Sequence, residues 1–458
     1  MYKRNFLHPE RLMYRGGAHL EFLRTEWDKI VLDADVETVP GFSLAMQRYM
    51  TVVGEYQQQF TPETTDQVRE MTPNQIEKSD AHAYITIHVE HVRVVLSTLF
   101  RRLGSPTYSV MCLDPRVQAL QNYELEIFSR VLGEAITFEE MTTEWIMLHA
   151  LTSFETYGKR VYEVSPGLQL LLENTKLKGL PTNQLRLPHP TIYLTLPPKY
   201  EVFNHATGMH PSEGVYVVED DQRKPRTWRL ILVGKHNEHS KHNEDDALYH
   251  WTVTLPEGKT IEDAIYDSTS IVEEVRDGGL AERDVEVQGQ QIKVAAGSPL
   301  GAKEQVAHFD LMRDTLVTLF RYVMNVVLYA TNPDAEITFS DANKDYERLR
   351  KRLEKLPKNK SKKKKKRRHI KQQIRDLNNP QQPRITLGRT IILNRAMKES
   401  ILEGGMTKSK HRVRYLVSGH WHLYWKGKGR TIAEKKWIKP YFKGPEHAPL
   451  TQGKTRLK

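Results

Sequence analysis

The sequence predicts an α+β protein with a helical N-terminal region, a central antiparallel sheet covered by a long helix, a basic helical linker and a small β-rich C-terminal region. Three observations predict it. Apolar residues recur at helical spacing through the first third, the period drops to two after Pro188 with turn residues between the runs, and beyond residue 342 the chain becomes strongly cationic. These changes of pattern divide the 458 residues into segments 1–180, 181–335, 336–382 and 383–458.

In the first segment, helical periodicity marks residues 20–32, 41–60, 81–103, 119–131 and 138–157. The stretch Tyr84-Ile-Thr-Ile-His-Val-Glu alternates and is β-branched, as a strand would be. Ile85, Val92, Val95, Leu96, Leu99 and Phe100 nevertheless continue at helical spacing, so a helix is expected. Strands follow at 191–196, 214–218, 227–233 and 248–255, with a later hairpin at 285–294 and a polar insert at 234–246 joining two strands. Residues 303–329 then form a long amphipathic helix. Val306, Phe309, Met312, Leu316, Phe320, Val323 and Val327 lie along one side, a stripe suited to closing over the sheet.

The linker has two short helical patterns, DYERLRKRLEKL and RRHIKQQIRDL, on either side of PKNKSKKKKK, whose like charges oppose packing until an anion compensates them. After Asn378-Asn-Pro-Gln-Gln-Pro, short β-like runs at 386–393, 412–417, 420–425 and 437–442 alternate with glycine-rich turns. No internal repeat is present.

The same residues exclude several function classes. The start MYKRNFLHPERLMYRGG has no uninterrupted apolar run of the secretory kind. The most apolar stretch, 316–330, contains Arg321 and falls short of the roughly 20 residues that span a bilayer, so a cytoplasmic protein with no membrane partner is expected. Cys112 is the only cysteine, which rules out an internal disulfide and cysteine-based metal clusters, and its apolar neighbours predict a buried thiol. His236, His239 and His242 recur at intervals of three in a polar insert without a rigid frame, and His88 with His91 supplies only two ligands. No metal is therefore expected. Walker, dinucleotide-binding, nucleophile-elbow and kinase signatures are absent, so no cofactor is expected either.

Charge distribution is the most informative feature. Residues 344–376 hold 17 Lys/Arg against 4 Asp/Glu and residues 384–458 hold 18 against 4, which leaves 33 bases and 49 acids on the rest of the chain. A cationic end joined to an acidic body points to a polyanion partner. Within the linker, Lys362, Lys363, Lys364, Lys365, Lys366, Arg367 and Arg368 could grip a phosphate backbone, lie on an acidic surface or act as a solvated spacer. In the last segment, Arg412, Arg414, Lys426, Lys428, Arg430, Lys436, Lys439 and Lys443 are interleaved with Trp421, Trp425, Trp437 and Tyr441. Cations neutralise phosphates and aromatic faces stack on bases, which is what a single-stranded nucleic acid requires. The other reading is a small β-domain with tryptophans in its core and lysines for solubility. His420 and His422 share one strand face, an arrangement compatible with metal-free acid–base cleavage of RNA, though such a pair is also common as structure.

Three stretches carry a resemblance. They are Gly158-Lys-Arg-Val-Tyr-Glu-Val-Ser-Pro-Gly-Leu with Leu180-Pro-Thr-Asn-Gln-Leu-Arg-Leu-Pro-His-Pro-Thr-Ile-Tyr, then Leu319-Phe-Arg-Tyr-Val-Met-Asn-Val-Val-Leu-Tyr-Ala, and finally Ser418-Gly-His-Trp-His with Trp437-Ile-Lys-Pro-Tyr-Phe-Lys-Gly-Pro. They resemble, in turn, the entry into the central sheet, the long helix and the C-terminal signature of a family of phage- and plasmid-borne proteins. That family includes the type V-A anti-CRISPR that lowers effector messenger RNA, and the similarity spans about residues 158–446. The family usually has arginine where Ser418 and His422 stand here. The resemblance implies a cytoplasmic inhibitor that recognises a nascent or folded protein target and causes loss of its message. Joined to the charge pattern, it yields the expectation of a mobile-element regulator bound to RNA or the ribosome. A ribonuclease using the histidine pair and a nonspecific nucleic-acid-associated phage protein are the alternatives.

Overall fold

The computed structural model describes residues 8–60, 80–103, 114–132, 142–157, 160–204, 208–220, 222–234, 248–277, 283–287, 290–294, 299–339, 351–352, 370, 384–391, 393, 398, 401, 415–429 and 431–443. Cys112, nearly all of the basic linker and all of the insert at 234–246 except Gly234 lie outside the described residues.

The N-terminal region is a helical layer made of α1 (His8–Asp33), α2 (Val39–Gln57), α3 (Asp80–Leu103), α4 (Pro115–Leu132) and α5 (Thr142–Tyr157). Helix α2 begins at Thr38, whose Oγ1 accepts from the Gly41 amide at 3.2 Å and so satisfies one of the unpaired amides of a first turn. Ile87, Val92, Val95, Leu96, Leu99 and Phe100 of α3 are buried against Leu23, Trp27, Phe42 and Tyr49. This shared face explains why the β-branched stretch at 84–90 is helical: Ile87 lies buried in one core with Val94 and Val95, a spacing that a helix provides. The fully buried Arg93 is held by Glu90 and by Glu155, the latter at 2.5 Å, and burial pushes the Glu90 carboxyl up to about 7.

The central sheet is built from β1 (Val161–Val164), β2 (Thr191–Thr195), β3 (Glu201–Asn204), β4 (Gly208–Asp220), β6 (Arg226–Gly234), β7 (Leu248–Leu255), β10 (Ile337–Phe339) and β11 (Arg384–Leu387). Its order is β10-β11-β1-β2-β4-β6-β7, with β3 pairing β4. Strands β2, β4, β6 and β7 form the antiparallel part foreseen from the alternation. The sheet as a whole is mixed, which corrects the antiparallel expectation. β1 runs parallel to both β2 and β11, and β10 pairs β11 antiparallel. Arg384–Leu387 therefore belongs to the central sheet, more than 200 residues from the strand it lies beside.

Both faces of the sheet are covered. Tyr193, Tyr216, Val218, Ile231 and Val233 meet Met147, Ala150, Leu151 and Phe154 of α5. Their alternate neighbours Ile192, Leu194, Val215, Val217, Leu230 and Leu232 meet the helices on the other side. Those helices are α6 (Pro166–Glu173), α7 (Ile261–Asp277) and α8 (Pro299–Ala330), the last being the expected long helix. A separate small sheet joins β5 (Arg223–Lys224) to the expected hairpin, formed by β8 (Arg283–Val287) and β9 (Gln290–Val294). Among the described residues no helix is long and apolar enough to cross a membrane.

The C-terminal strands are β12 (Tyr415–Val417), β13 (His420–Lys426), β14 (Ile432–Ile438) and β15 (Tyr441–Lys443). β13 pairs β14 and β12 pairs β15, both antiparallel. This unit lies on α8. The stripe predicted for α8 is one-sided, but Tyr322, Met324, Val326, Leu328 and Tyr329 are buried as well as Leu316, Phe320, Val323 and Val327. The hairpin covers part of the side that the sheet leaves open.

Candidate nucleic-acid interface

The β13–β14 hairpin runs in unbroken register from His420↔Ile438 to Lys426↔Ile432 and reverses through Gly427 and Gly429, at φ +84° and +79°. That left-handed backbone is open to glycine and strained for other residues. Partners directly across an antiparallel pair share a face. One face carries Trp421↔Trp437, Leu423↔Lys435 and Trp425↔Ala433, and the other carries His420↔Ile438, His422↔Lys436, Tyr424↔Glu434 and Lys426↔Ile432.

The first face docks on the core through a buried polar chain. The Trp421 indole N–H donates to Asn325 Oδ1 at 2.8 Å, and Asn325 Nδ2 donates to the carbonyls of Leu172 at 3.2 Å and Thr175 at 3.0 Å. The Trp437 indole donates to Thr175 Oγ1 at 3.3 Å, and its ring meets Tyr329 edge-on at 5.3 Å. Gly419 lets the chain approach: its carbonyl accepts from the Lys176 amide at 3.1 Å, and a Cβ there would stand 2.9 Å from Thr175 Oγ1. The chain thus joins the end of α6, the C-terminal part of α8 and two tryptophans in one hydrogen-bonded seam.

Lys435 faces the same way. Its Nζ donates to Thr331 Oγ1 at 2.8 Å and to the Gln184 carbonyl at 3.2 Å, with no carboxylate at either contact. Burial lowers its pKa to about 8. The ammonium stands just past the last residue of α8, where the helix dipole favours positive charge.

The expected site residues are therefore divided. Trp421 and Trp437 are only 5% and 7% exposed, which corrects their assignment as stacking surfaces: their faces are filled by the core, as in the alternative reading of the segment. Trp425 and Tyr441 are 56% and 43% exposed, and Lys426, Lys428, Lys436, Lys439 and Lys443 are exposed too. Against these lysines the described strands carry one acid, Glu434, which is ion-paired with Lys426. His422 is exposed with its ring 4.5 Å from Tyr424, whereas the half-buried His420 has Nδ1 3.2 Å from the Ser418 carbonyl, a contact that orients it locally. The two do share a face, as strand alternation requires. Lys362, Lys363, Lys364, Lys365, Lys366, Arg367, Arg368, Arg412, Arg414 and Arg430 lie outside the described residues, as do His236, His239 and His242. Among the described residues no group of three metal-ligating side chains is found.

The sequence reading missed Asn325, Thr175 and Lys435. Lys435 was within reach, since it lies two residues before Trp437 in a strand and must share its face. Asn325 gave a weaker sign as an amide inside an apolar helical run. Thr175 gave none.

A family model described as AcrVA2-like, anti-CRISPR type V subtype A2 family, matches residues 162–443. No curated protein matches. Among solved structures, a chain described as the crystal structure of AcrVA2 aligns with 13% identity and a TM-score of 0.38, covering 77% of this chain and 93% of that one.

Proposed function

The chain belongs to the AcrVA2-like family of type V subtype A2 anti-CRISPR proteins, and on that premise we propose that it is an anti-CRISPR-like regulator that holds RNA, free or in a translating ribosome, through its basic C-terminal part. The acidic remainder is left to hold a nascent or folded protein target. One observation carries the nucleic-acid half of the reading: the hairpin spends its inner face on docking, while its outer face and tip present lysines and rings with a single, internally neutralised acid. A surface evolved only for solubility would interleave both signs.

The docking also dictates the experiment. Removing the last hundred or so residues would take away β11 and the two buried tryptophans, so loss of RNA binding would report unfolding. The informative variant is Lys428, Lys436, Lys439 and Lys443 changed together to glutamine, since all four are exposed. Single-stranded RNA binding should weaken, and the dependence of log K on log salt should become shallower by about 0.7 for each phosphate that is no longer neutralised. An unchanged affinity and salt slope, with thermal stability retained, would refute the reading.

A further inference from the structure

We infer that the tip of the β13–β14 hairpin is a stacking platform for unpaired bases, with Trp425 and Tyr424 as rings on opposite faces and single-stranded RNA as the ligand. The inference rests on the RNA reading above and narrows it to the state of the strand.

Along the docking face exposure rises from Trp421 at 5% to Trp425 at 56%, with Leu423 half-buried between them. The hairpin has run past the edge of the core by Trp425. The residue opposite is Ala433, whose methyl group is too small to cover an indole. Tyr424 points to the other face, is 40% exposed, and has His422 against its edge and Glu434 across the strand. Two large rings thus stand open on the two sides of one ribbon, next to its turn.

The charge around the rings selects the ligand class. Lys428 occupies the turn between Gly427 and Gly429, and Lys426 and Lys436 flank Tyr424 on the outer face. Glu434 is occupied by Lys426, so the acid nearest the rings does not repel phosphate in full. An exposed apolar ring surrounded by lysines suits a partner that is anionic along its backbone and flat along its side chains. Unpaired bases offer such faces. In a duplex they are stacked on one another, leaving only phosphates to the lysines. A strand passing the tip meets an open ring on either face of the ribbon and Lys428 at the turn between them.

The test compares the full-length protein with Trp425→Ala and Trp425→Phe, using a twelve-nucleotide oligoadenylate RNA, a DNA strand of equal length and an RNA duplex of equal length. Trp425→Ala should lose roughly 5- to 150-fold in affinity for both single strands. Duplex affinity should change by less than about twofold, because phosphate contacts are untouched. Trp425→Phe should recover most of the single-strand affinity. Near-ultraviolet circular dichroism should stay close to the parent, since the packed signal comes from the buried tryptophans Trp27, Trp145, Trp228, Trp421 and Trp437, none of which is altered. Equal losses for single strand and duplex, or no loss with alanine, would overturn the inference. Loss of RNA binding in the four-lysine variant but not in Trp425→Ala would sink the platform and leave the RNA reading standing. Failure of the parent protein to bind any of the three nucleic acids would sink both.

Discussion

Replacing Asn325 by leucine should detach the C-terminal hairpin from the body of the protein. The amide is fully buried and makes three hydrogen bonds: it donates to the carbonyls of Leu172 and Thr175 and accepts from the Trp421 indole. Leucine fills nearly the same space and leaves all three partners facing a hydrocarbon. The Leu172 carbonyl also accepts from the Thr175 amide at 3.1 Å, so it forfeits only the net value of one hydrogen bond, about 1 kcal/mol. The indole N–H and the Thr175 carbonyl lose more, about 1–3 kcal/mol each. Added apolar burial returns about 1 kcal/mol, so the net cost is about 2–6 kcal/mol. A chain of this length with separate cores need not unfold in one step, so the sensitive measurement is amide exchange in β13 and β14. Opening of the hairpin should become at least about 30-fold more frequent, since each 1.4 kcal/mol is about tenfold. Amides of α3 should stay unchanged. Protection of the hairpin within about threefold of the parent would refute the claim that this seam holds it.

Two further outcomes follow from the buried charges. Arg93→Met should cost about 3–5 kcal/mol, because it leaves Glu90 and Glu155 buried without their shared cation, and a calorimetric loss below about 1 kcal/mol would show that the carboxylates relax to water. Lys435 has a folded pKa of about 8, below the usual 10.5 of lysine. A depressed folded value means that its stabilising contribution is fully present above 10.5 and is lost as pH falls through about 8. The stability of the parent relative to Lys435→Met should therefore rise as pH is raised from about 7.5 to about 10.5, and a gap that is flat or shrinks over that window would refute the burial argument.

Local rules were enough for the N-terminal helices, the meander of β2, β4, β6 and β7, and α8, because each repeats its pattern over many residues. Helix α7 was missed although it announces itself with Thr260-Ile-Glu-Asp: Thr260 Oγ1 accepts from the Asp263 amide at 3.1 Å, while Asp263 Oδ2 accepts from the Thr260 amide at 3.2 Å. Strands β1 and β10 are too short to show a period. The mixed sheet had no local signal at all, since β11 reaches β1 across most of the intervening chain. In the candidate site, residue types and charge were legible while burial was not. Trp421 and Trp425 read alike in a cationic strand, yet one is sealed and the other open.

By itself, the sequence determined that this protein segregates charge, places a helical region before an alternating strand region, and carries the cationic, aromatic β-like runs that become the C-terminal hairpin. Those properties reside in neighbouring residues and in backbone periodicity. Only the tertiary structure decided which rings of that hairpin remain available, because exposure depends on what α6 and α8 place against each face. A tryptophan is core or contact surface according to its neighbours in space, and here the difference between the two is four residues along one strand.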